Sequence, residues 1–436
     1  MNNQKLKPIL IITYYWPPGS GPGVQRWLKF SKYLPEFGWQ PIILTVKNGS
    51  YPSIDETLLK EVSDENIIYR TRAIEPFALY NMLRGKKGNS IEVGMGNIKD
   101  PKGVFAKISN YIRANYFIPD ARIGWNYLAT KKALEIIDKH KPLLIVTTGP
   151  PHSTHLIGVK IKEKHPDLNW VVDLRDPWTE IFYNKFLKRT KGAKIKDVAL
   201  ETLVLTKADF VIAATPSIQK IYSSRAQKMT TVLNGYDDKD FFPLEDLKKK
   251  DFTISFFGNM LPNQNLSGFW QAIKELQTLG SLPSYFKIRL VGNIAENIRA
   301  NIKALDLDSL IEYKPFLNHL EAIIEMQKSN MLYLPIPIDE GNKLIITGKI
   351  FEYLATGRPI LSIGPKDGDA SEILKACNQL EMHDYDDVEA VKKEISEAIM
   401  YHRKTNELQN IGNSYHLELT RKSQTQKLVY LINSMS

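Results

Sequence analysis

The stretch Thr347–Gly364, TGKIFEYLATGRPILSIG, has the pattern of a short helix followed by a buried strand. Gly357 ends the helix, and the apolar run Ile360–Ile363 forms the strand. A helix N-terminus carries free N–H groups and partial positive charge, so it favours phosphate. Lys349 adds a full charge there, and Glu352, one turn further on, can accept hydrogen bonds from sugar hydroxyls. The stretch therefore predicts a nucleotide-diphosphate site; the alternative is a surface helix with an ordinary lysine and glutamate.

Apolar strands with polar turns precede this stretch. Phe252–Phe257 is followed by Gly258 and Asn259, and Phe286–Val291 is followed by a second Gly-Asn pair. Helical spacing separates these strands from Met331–Ile336, the next apolar run. Strands that alternate with helices predict a parallel sheet whose loops line up at one edge.

A similar series occupies the N-terminal half of the 436-residue chain. Pro8–Thr13 is a predicted strand, Val24–Leu34 a helix and Pro41–Val46 the next strand, which together form a βαβ unit. The polar segment from Tyr236 to about Asp251 separates the two series. We therefore expect α/β domains at residues 1–238 and 239–410, followed by a C-terminal helix at 411–436, in keeping with roughly 100–200 residues per domain. Helical spacing also predicts a helix at Asp197–Lys207 and a closing helix over Glu407–Asn433.

Loops at the carboxyl ends of the N-terminal strands carry polar residues, and α/β proteins bind ligands at that edge. The candidates are Gly21, Gly23, Gln25 and Arg26 after the first strand, His152 after the strand Leu143–Thr147, and Asp173, Arg175 and Asp176 at the end of the strand Trp170–Leu174. Three charges at the end of an apolar strand are costly unless they are paired or used. The glycines alternatively only turn the chain, and His152 is a ligand contact, a general base or a helix cap.

Composition limits the class of partner. The net charge of +10 favours an anionic partner such as a phosphorylated metabolite, an acidic membrane surface or nucleic acid. Cys377 is the only cysteine, which excludes an intrachain disulfide and a cysteine-based zinc site. No window approaches the roughly 20 apolar residues that a membrane-spanning helix needs. We therefore expect a protein that is soluble or bound to a membrane surface.

Two basic segments interrupt the α/β alternation. The first is an insertion at about 77–123, and the second covers Lys185–Lys196; both interleave lysine and arginine with aromatic residues. This composition is typical of surfaces that meet anionic lipid. The alternative is a solvated insertion with a small core of its own. No RNA-binding signature or zinc-finger spacing supports nucleic acid as the partner.

The motifs, taken in order, resemble glycosyltransferase family 4, and more narrowly the members that build bacterial capsule or O-antigen polysaccharide. The similar segments are Tyr15-Trp16-Pro17-Pro18, Gly23-Val24-Gln25-Arg26, Thr148-Gly149-Pro150-Pro151-His152-Ser153, Asp173-Leu174-Arg175-Asp176-Pro177-Trp178, Asn234-Gly235-Tyr236-Asp237, Gly258-Asn259 with Gln264-Asn265, and Thr347-Gly348-Lys349 through Glu352 to Pro359. Together they span most of the chain.

The resemblance implies a GT-B architecture: two Rossmann-like domains that face a central cleft, with the last helix packing back on the first domain. It implies a retaining, metal-independent hexosyltransferase that uses a UDP- or GDP-linked sugar as co-substrate and needs no cofactor. The C-terminal domain would hold the donor, and the N-terminal domain a lipid-linked or glycan acceptor. We expect a cytoplasmic protein, peripheral on the inner face of the cytoplasmic membrane.

Residue roles follow from the same resemblance. Asp176, Arg175, His152 and Lys349 are the candidate catalytic residues. The candidate substrate-binding residues are Gly21, Gly23, Gln25, Arg26, Asp173, Gly258, Asn259, Gln264, Asn265, Thr347, Gly348, Lys349 and Glu352. Glu352 matches the second glutamate of the family's Glu-x7-Glu motif, whose partner is ribose. We expect no metal ligands, and we interpret Asp367-Gly368-Asp369 as a turn and helix cap.

The sequence departs from the family in two places. Leu344 stands where the first glutamate of the motif would be, and Asn259 and Gln264 stand near the family's phosphate-binding arginine and lysine. Lys349 is then the main cation for the diphosphate, with Arg26, Arg175 and Arg358 as further candidates. Two alternatives remain open: a nucleotide-sugar epimerase of GT-B fold, and a catalytically silent scaffold of a polysaccharide assembly complex.

Overall fold

The computed structural model describes residues 6–51, 53–73, 104–243 and 251–435. By its contacts the chain divides into two compact units. The first unit is Met1–Leu233 with Gln424–Ser436, and the second is Asn234–Ser423. The boundaries inferred from composition, after residues 238 and 410, stay predictions.

The described residues form two parallel sheets. The strands of the first unit are β1 (Lys7–Ile12), β2 (Trp39–Val46), β3 (Ile67–Thr71), β4 (Leu144–Gly149), β5 (Asn169–Leu174), β6 (Phe210–Ala213) and β7 (Met229–Thr231). They pair in the order β3-β2-β1-β4-β5-β6-β7. The strands of the second unit are β8 (Phe252–Phe257), β9 (Phe286–Val291), β10 (Ile311–Lys314), β11 (Met331–Pro335) and β12 (Ile360–Ile363). They pair in the order β10-β9-β8-β11-β12. The predicted pair of Rossmann-like α/β domains is confirmed.

Helices connect most of these strands, as parallel pairing requires. In chain order they are α1 (Pro22–Tyr33), α2 (Val104–Tyr116), α3 (Asn126–His140), α4 (His155–Lys164), α5 (Lys191–Lys207), α6 (Pro216–Tyr222), α7 (Ser267–Thr278), α8 (Glu296–Ala304), α9 (His319–Gln327), α10 (Gly348–Thr356), α11 (Asp369–Ala376), α12 (Val388–Thr405) and α13 (Arg421–Asn433). None of the helices within the described ranges is long and apolar enough to cross a membrane.

The first sheet is covered on both faces, which explains the unbroken apolar run of β1. All four residues from Ile9 to Ile12 have no exposed surface. They divide between two core clusters, one of which includes Ala129 and Ala133 of α3. The other cluster includes Trp27 of α1 and Leu428 of α13. The C-terminal helix therefore packs on the sheet of the first unit.

The second unit has a core of its own. Phe252, Ile254 and Phe256 of β8 lie in it with residues of α7, β9 and α12. The phenyl ring of Phe269 stacks on the ring of Tyr333 in β11, with centroids 4.0 Å apart. The two ends of this unit are also joined, because Tyr236 N donates to Leu419 O (3.1 Å) and Arg421 N donates to Tyr236 O (2.6 Å).

Each sheet reverses its strand order beside its first strand. The reversal falls between β1 and β4 in the first unit and between β8 and β11 in the second. In open α/β sheets the loops at such a switch point form the ligand crevice. A ligand site is therefore expected in the loops after β1, β4 and β5 of the first unit and in those after β8 and β11 of the second.

Several expectations about elements need correction. The closing helix expected over Glu407–Asn433 is wrong: a 3-10 turn covers Ser414–Leu419, and only Arg421–Asn433 is α-helical, because Gly412 adopts a φ of 120° and Asn413 caps the turn. Helix α5 begins at Lys191 rather than at Asp197, with Thr190 as its N-cap. Strand β7 and helix α8 are additional to the predicted elements. Much of the insertion expected at 77–123, including Arg84 to Lys102, lies outside the described residues.

Candidate functional site

Lys349 lies at the carboxyl edge of the second sheet. Its side chain passes beside Gly258, since a Cβ built on that glycine would lie 2.8 Å from Lys349 Cε and 3.3 Å from Nζ. The Nζ atom lies 4.8 Å from the centroid of the Phe256 ring. Gly258 has a φ of 102°, which side chains rarely adopt, and ends β8 at the switch point. The glycine thus gives the lysine room to place its ammonium group over the end of β8.

Helix α10 is fixed to this edge by a buried tyrosine. Phe257 N donates to Tyr353 Oη at 3.2 Å, and Tyr353 has no exposed surface. Thr347 is the N-cap residue, but its hydroxyl makes no capping hydrogen bond to the helix. Gly348 then begins the helix without a side chain. The first N–H groups of α10 are therefore not covered by a side-chain cap, next to the Lys349 ammonium group.

The charge on Lys349 is adjustable near neutral pH. Burial lowers the pKa of Lys349 to about 8, and the nearby Glu352 carboxylate partly offsets this shift. The Lys349 side chain is therefore mostly protonated at pH 7 and mostly neutral at pH 9. An anion bound beside it would favour the protonated form.

Glu352 faces several charged groups of the second unit. Burial raises the pKa of Glu352, while His319, Arg421 and Lys349 lower it and Asp240 raises it. Glu352 Oε1 lies 4.0 Å from His319 Nδ1, and His319 Nε2 lies 3.0 Å from Asp240 Oδ2. Sequence reasoning missed Asp240 and His319. The one available signal was the capping box of Asn318 and Glu321, which places the intervening His319 in the first turn of α9.

The loop after β8 contains one exposed candidate and two that hold the loop. Gln264 is buried; its Oε1 accepts from Leu261 N (2.8 Å) and its Nε2 donates to Pro335 O (2.7 Å). Asn265 Oδ1 accepts from Asn301 Nδ2 at 3.1 Å. Asn259 is exposed directly after Gly258. The geometry gives Asn259 access to a ligand and gives Gln264 and Asn265 a supporting position.

Other charged residues of the second unit lie in structural contacts. The Arg358 guanidinium donates to Gln327 O (2.8 Å) and to Asn410 Oδ1 (3.1 Å) just before β12, so it lies at the amino edge of the sheet, away from Lys349. Asp367 is paired with Lys343, with Nζ 2.6 Å from Oδ2, and Asp369 is in the first turn of α11. Within the described residues, no group of three or more His, Cys, Asp or Glu side chains could hold a metal ion.

In the first unit, Arg26 and Asp173 meet each other. Arg26 donates from Nη2 (2.9 Å) and Nε (3.1 Å) to Asp173 Oδ1, and neither side chain is exposed. Trp27 Nε1 (2.6 Å) and Thr148 Oγ1 (2.7 Å) donate to Asp173 Oδ2. The pair joins α1 to the ends of β4 and β5. The buried ion pair therefore stabilises the loops at the carboxyl edge of the first sheet without being exposed to a ligand.

Arg175 lies across the start of α1. A Cβ on Gly23 would lie 2.2 Å from Arg175 Nη1, so the glycine makes room for the guanidinium group. Arg175 also donates from Nη2 to Pro150 O, and its backbone N donates to Gly149 O at 3.0 Å. Gly21, with a φ of 104°, turns the chain into α1. Arg175, in the loop after β5, therefore contacts both the loop after β4 and the segment that follows β1.

The remaining candidates of this edge differ in exposure. Asp176 is exposed, and Gln25 is half-buried on α1. His152 is buried and stacks on the ring of Trp178, with centroids 4.9 Å apart and planes 8° from parallel. Burial, together with the neighbouring His155 and Arg175, lowers the pKa of His152, so its imidazole is neutral at pH 7. The same shift makes His152 a weak proton acceptor, because an effective general base has a pKa near the working pH.

Comparison with known proteins gives a result for the structure only. The sequence matches no protein-family model and no curated protein. The structure is similar to that of a glycosyltransferase from Rickettsia africae, at 16% identity and a TM-score of 0.61, covering 99% of this chain and 98% of that one. Sucrose-phosphate synthase from Thermosynechococcus elongatus matches at 13% identity and a TM-score of 0.62, covering 98% and 99%. HepE from Anabaena in complex with UDP matches at 13% identity and a TM-score of 0.63, covering 98% and 100%. The chain therefore has the GT-B fold.

Proposed function

We propose that the protein is a glycosyltransferase that moves a sugar from a UDP- or GDP-linked donor to an acceptor hydroxyl. One observation carries the proposal: Lys349 places its ammonium group beside Gly258 at the uncapped start of α10, one helical turn before Glu352. This arrangement provides cationic and N–H groups for a diphosphate and a carboxylate for ribose hydroxyls. The complex of the similar HepE with UDP supports a nucleotide donor.

The proposed reaction breaks the bond between the sugar C1 and the diphosphate oxygen and forms a bond from C1 to the acceptor oxygen. The diphosphate leaves with the bonding electron pair, and Lys349 and the α10 N–H groups stabilise its negative charge. The acceptor hydroxyl loses its proton, which a leaving phosphate oxygen takes up when attack occurs on the same face. That route retains the configuration at C1 and needs no metal ion.

The first unit is the proposed acceptor domain. Arg175 and Asp176 present charged groups at its carboxyl edge, and the neutral His152 is proposed to contact the acceptor by a hydrogen bond. Gly21, Gly23 and Gln25 are candidates for shaping the loop that receives the acceptor. A lipid-linked glycan of bacterial capsule or O-antigen synthesis is the proposed acceptor class, on the motif resemblance alone.

A basic and apolar face of the first unit supports a membrane location. We define it by exposed residues of α2 and α5: Ile108, Tyr111, Ile112, Tyr116, Lys191, Lys194, Ile195 and Val198. Asn115 of α2 contacts the segment just before α5, because it donates to Lys188 O (3.1 Å) and accepts from Thr190 N (2.7 Å). Arg122 and Arg189 do not belong to this face; they bind protein groups. We propose that this face meets anionic lipid on the cytoplasmic side of the membrane.

A nucleotide-sugar library tests the proposed reaction. The protein is incubated with UDP- and GDP-sugars, with and without lipid-linked glycan acceptors from bacterial membranes, and each donor is followed by mass spectrometry. We expect one donor to lose its sugar only when an acceptor is present, and both Lys349→Ala and Glu352→Ala to abolish this while remaining folded. Epimerised donor without acceptor would favour the epimerase alternative. No binding of any donor at millimolar concentration would favour the scaffold.

A further inference from the structure

We propose that His319 and Glu352 together bind one ribose hydroxyl of the nucleotide, and that Asp240 sets the proton of His319 for this contact. The inference rests on the proposed function, in which Glu352 faces the ribose. It adds two residues, from α9 and from the 3-10 turn Asp238–Asp240, to a site otherwise built on α10.

The spacing of the two side chains fits a bridging oxygen. His319 Nδ1 and Glu352 Oε1 are 4.0 Å apart, which is too long for a direct hydrogen bond. A hydroxyl oxygen at about 2.8 Å from each atom fits between them. Such a hydroxyl would donate its proton to the Glu352 carboxylate and accept an N–H from His319 Nδ1.

Asp240 determines which of the two imidazole nitrogens of His319 carries a hydrogen. His319 Nε2 lies 3.0 Å from Asp240 Oδ2, and an ionised carboxylate can only accept. Nε2 therefore carries hydrogen in either charge state. Because Nε2 faces Asp240, Nδ1 is the ring atom that faces Glu352, and in an imidazolium it presents a second N–H there. The hydroxyl then meets one donor and one acceptor, the pattern that a hydroxyl satisfies best.

The histidine is held in place by the helix that carries it. Asn318 Oδ1 accepts from Glu321 N (2.9 Å), and Asn318 N donates to Glu321 Oε2 (3.3 Å), so α9 begins with a complete capping box. His319 follows the cap directly. Its side chain is half exposed and so remains accessible to a ligand. The charged groups around Glu352 are those of His319, Arg421, Asp240 and Lys349. The Nδ1 atom of His319 lies at a distance from Glu352 Oε1 that allows both atoms to bind one hydroxyl.

The test uses binding of UDP and GDP, together with their 2′-deoxy and 3′-deoxy forms, measured by calorimetry at pH 7. In the wild type we expect removal of one of the two hydroxyls to weaken binding. Glu352→Gln should weaken binding of the parent nucleotide and lose that discrimination. This arm tests the ribose role on which the inference rests.

Two variants of His319 separate its two contacts. The Gln side-chain nitrogen in His319→Gln replaces Nε2 and keeps the Asp240 contact, whereas the amide nitrogen in His319→Asn replaces Nδ1 and keeps the donor toward Glu352. We expect His319→Gln to weaken binding about tenfold for the full nucleotide and less than about twofold for the deoxy form that lacks the bridging hydroxyl. His319→Asn should retain most of the discrimination. Asp387→Ala is the control: it removes the side-chain cap of α12, lowers the Tm and leaves the discrimination intact.

The outcomes separate the inference from the proposed function. The proposed function and the inference are both rejected if no nucleoside diphosphate binds the wild type. They are also both rejected if Glu352→Gln binds the nucleotides with wild-type affinity and discrimination. If Glu352→Gln behaves as expected but His319→Gln binds like the wild type, only the inference falls. An equal loss for the full and deoxy nucleotides in His319→Gln would also overturn it, because a purely structural histidine gives that result.

Discussion

The side chain of Lys349 lies against the backbone of Gly258, with Cε 2.8 Å from the position that a glycine Cβ would occupy. The contact joins the start of α10 to the end of β8 and places a cation at the switch point of the second sheet. It also keeps the ammonium group partly away from water, which lowers the pKa of Lys349 to about 8.

Nucleotide affinity should therefore fall as the pH rises above neutrality. A diphosphate binds the protonated lysine, so raising the pH through the pKa of the free protein costs affinity, and the change from pH 7 to pH 9 is about tenfold. Calorimetry with the preferred nucleoside diphosphate at these two pH values measures it. Lys349→Arg keeps its charge throughout and should show no such fall. An unchanged wild-type affinity at pH 9 would contradict the role of Lys349.

Gly258→Ala should weaken both folding and nucleotide binding. The new methyl group meets the Lys349 side chain, and the φ of 102° is strained for alanine, so we expect about 1–2 kcal/mol of lost stability and displacement of the ammonium group. Gly280→Ala is the matched control, because Gly280 has a φ of 65° and its Cβ would meet nothing within 4 Å. The control should lose stability alone. Normal binding by Gly258→Ala would show that the contact does not position Lys349.

Asp173→Asn should strongly destabilise the first unit. The substitution leaves the buried Arg26 charge without its partner, and breaking a buried pair in this way costs about 3–5 kcal/mol. Urea unfolding followed by tryptophan fluorescence measures the loss. Glu163→Gln breaks the exposed pair of Lys160 and Glu163 and should cost less than about 1 kcal/mol. Similar unfolding curves for both variants would refute a supporting role for Arg26 and Asp173.

Replacing Lys191 and Lys194 by glutamine should weaken binding to anionic vesicles. Each lysine near an anionic surface contributes about 1 kcal/mol, so the double variant should bind about 30-fold less tightly. Co-sedimentation with vesicles of phosphatidylcholine, with and without phosphatidylglycerol, measures this. Lys160→Gln with Lys164→Gln on α4 provides a control of equal charge. Equal recovery of the wild type in both supernatants would reject the membrane surface.

The sequence predicted the sheets well because continuous apolar runs mark strands that are buried on both faces, as in Phe252–Phe257 and Ile360–Ile363. It also predicted that one short helix carries both Lys349 and Glu352, as α10 does. Helix α8 was missed because only its buried Ile298 and Ile302 mark an apolar side. The predicted closing helix over Glu407–Asn433 is interrupted before Arg421 because of the backbone conformation at Gly412. The amino-acid composition of the segment does not reveal that conformation.

Contacts between distant segments were beyond sequence reasoning. Arg26 and Asp173 were both predicted at a ligand site, and each lies at the expected edge, but their pairing depends on β1, β4 and β5 being neighbours in the sheet. Asp240 and His319 are 79 residues apart and meet only through the fold of the second unit. Neither has a spacing pattern that sequence analysis could recognise.

The backbone pairing of Tyr236 with Leu419 and Arg421 means that the second unit starts and finishes at one place. The second unit is thus one continuous segment, residues 234–423, whereas the first unit consists of two segments that are distant in the sequence. During synthesis, residues 234–423 are complete before Leu428 and Ile432 of α13, which finish a core that begins at Ile9. A nascent chain therefore finishes its second unit first, and truncation by a few C-terminal residues should destabilise the N-terminal sheet rather than the proposed nucleotide site.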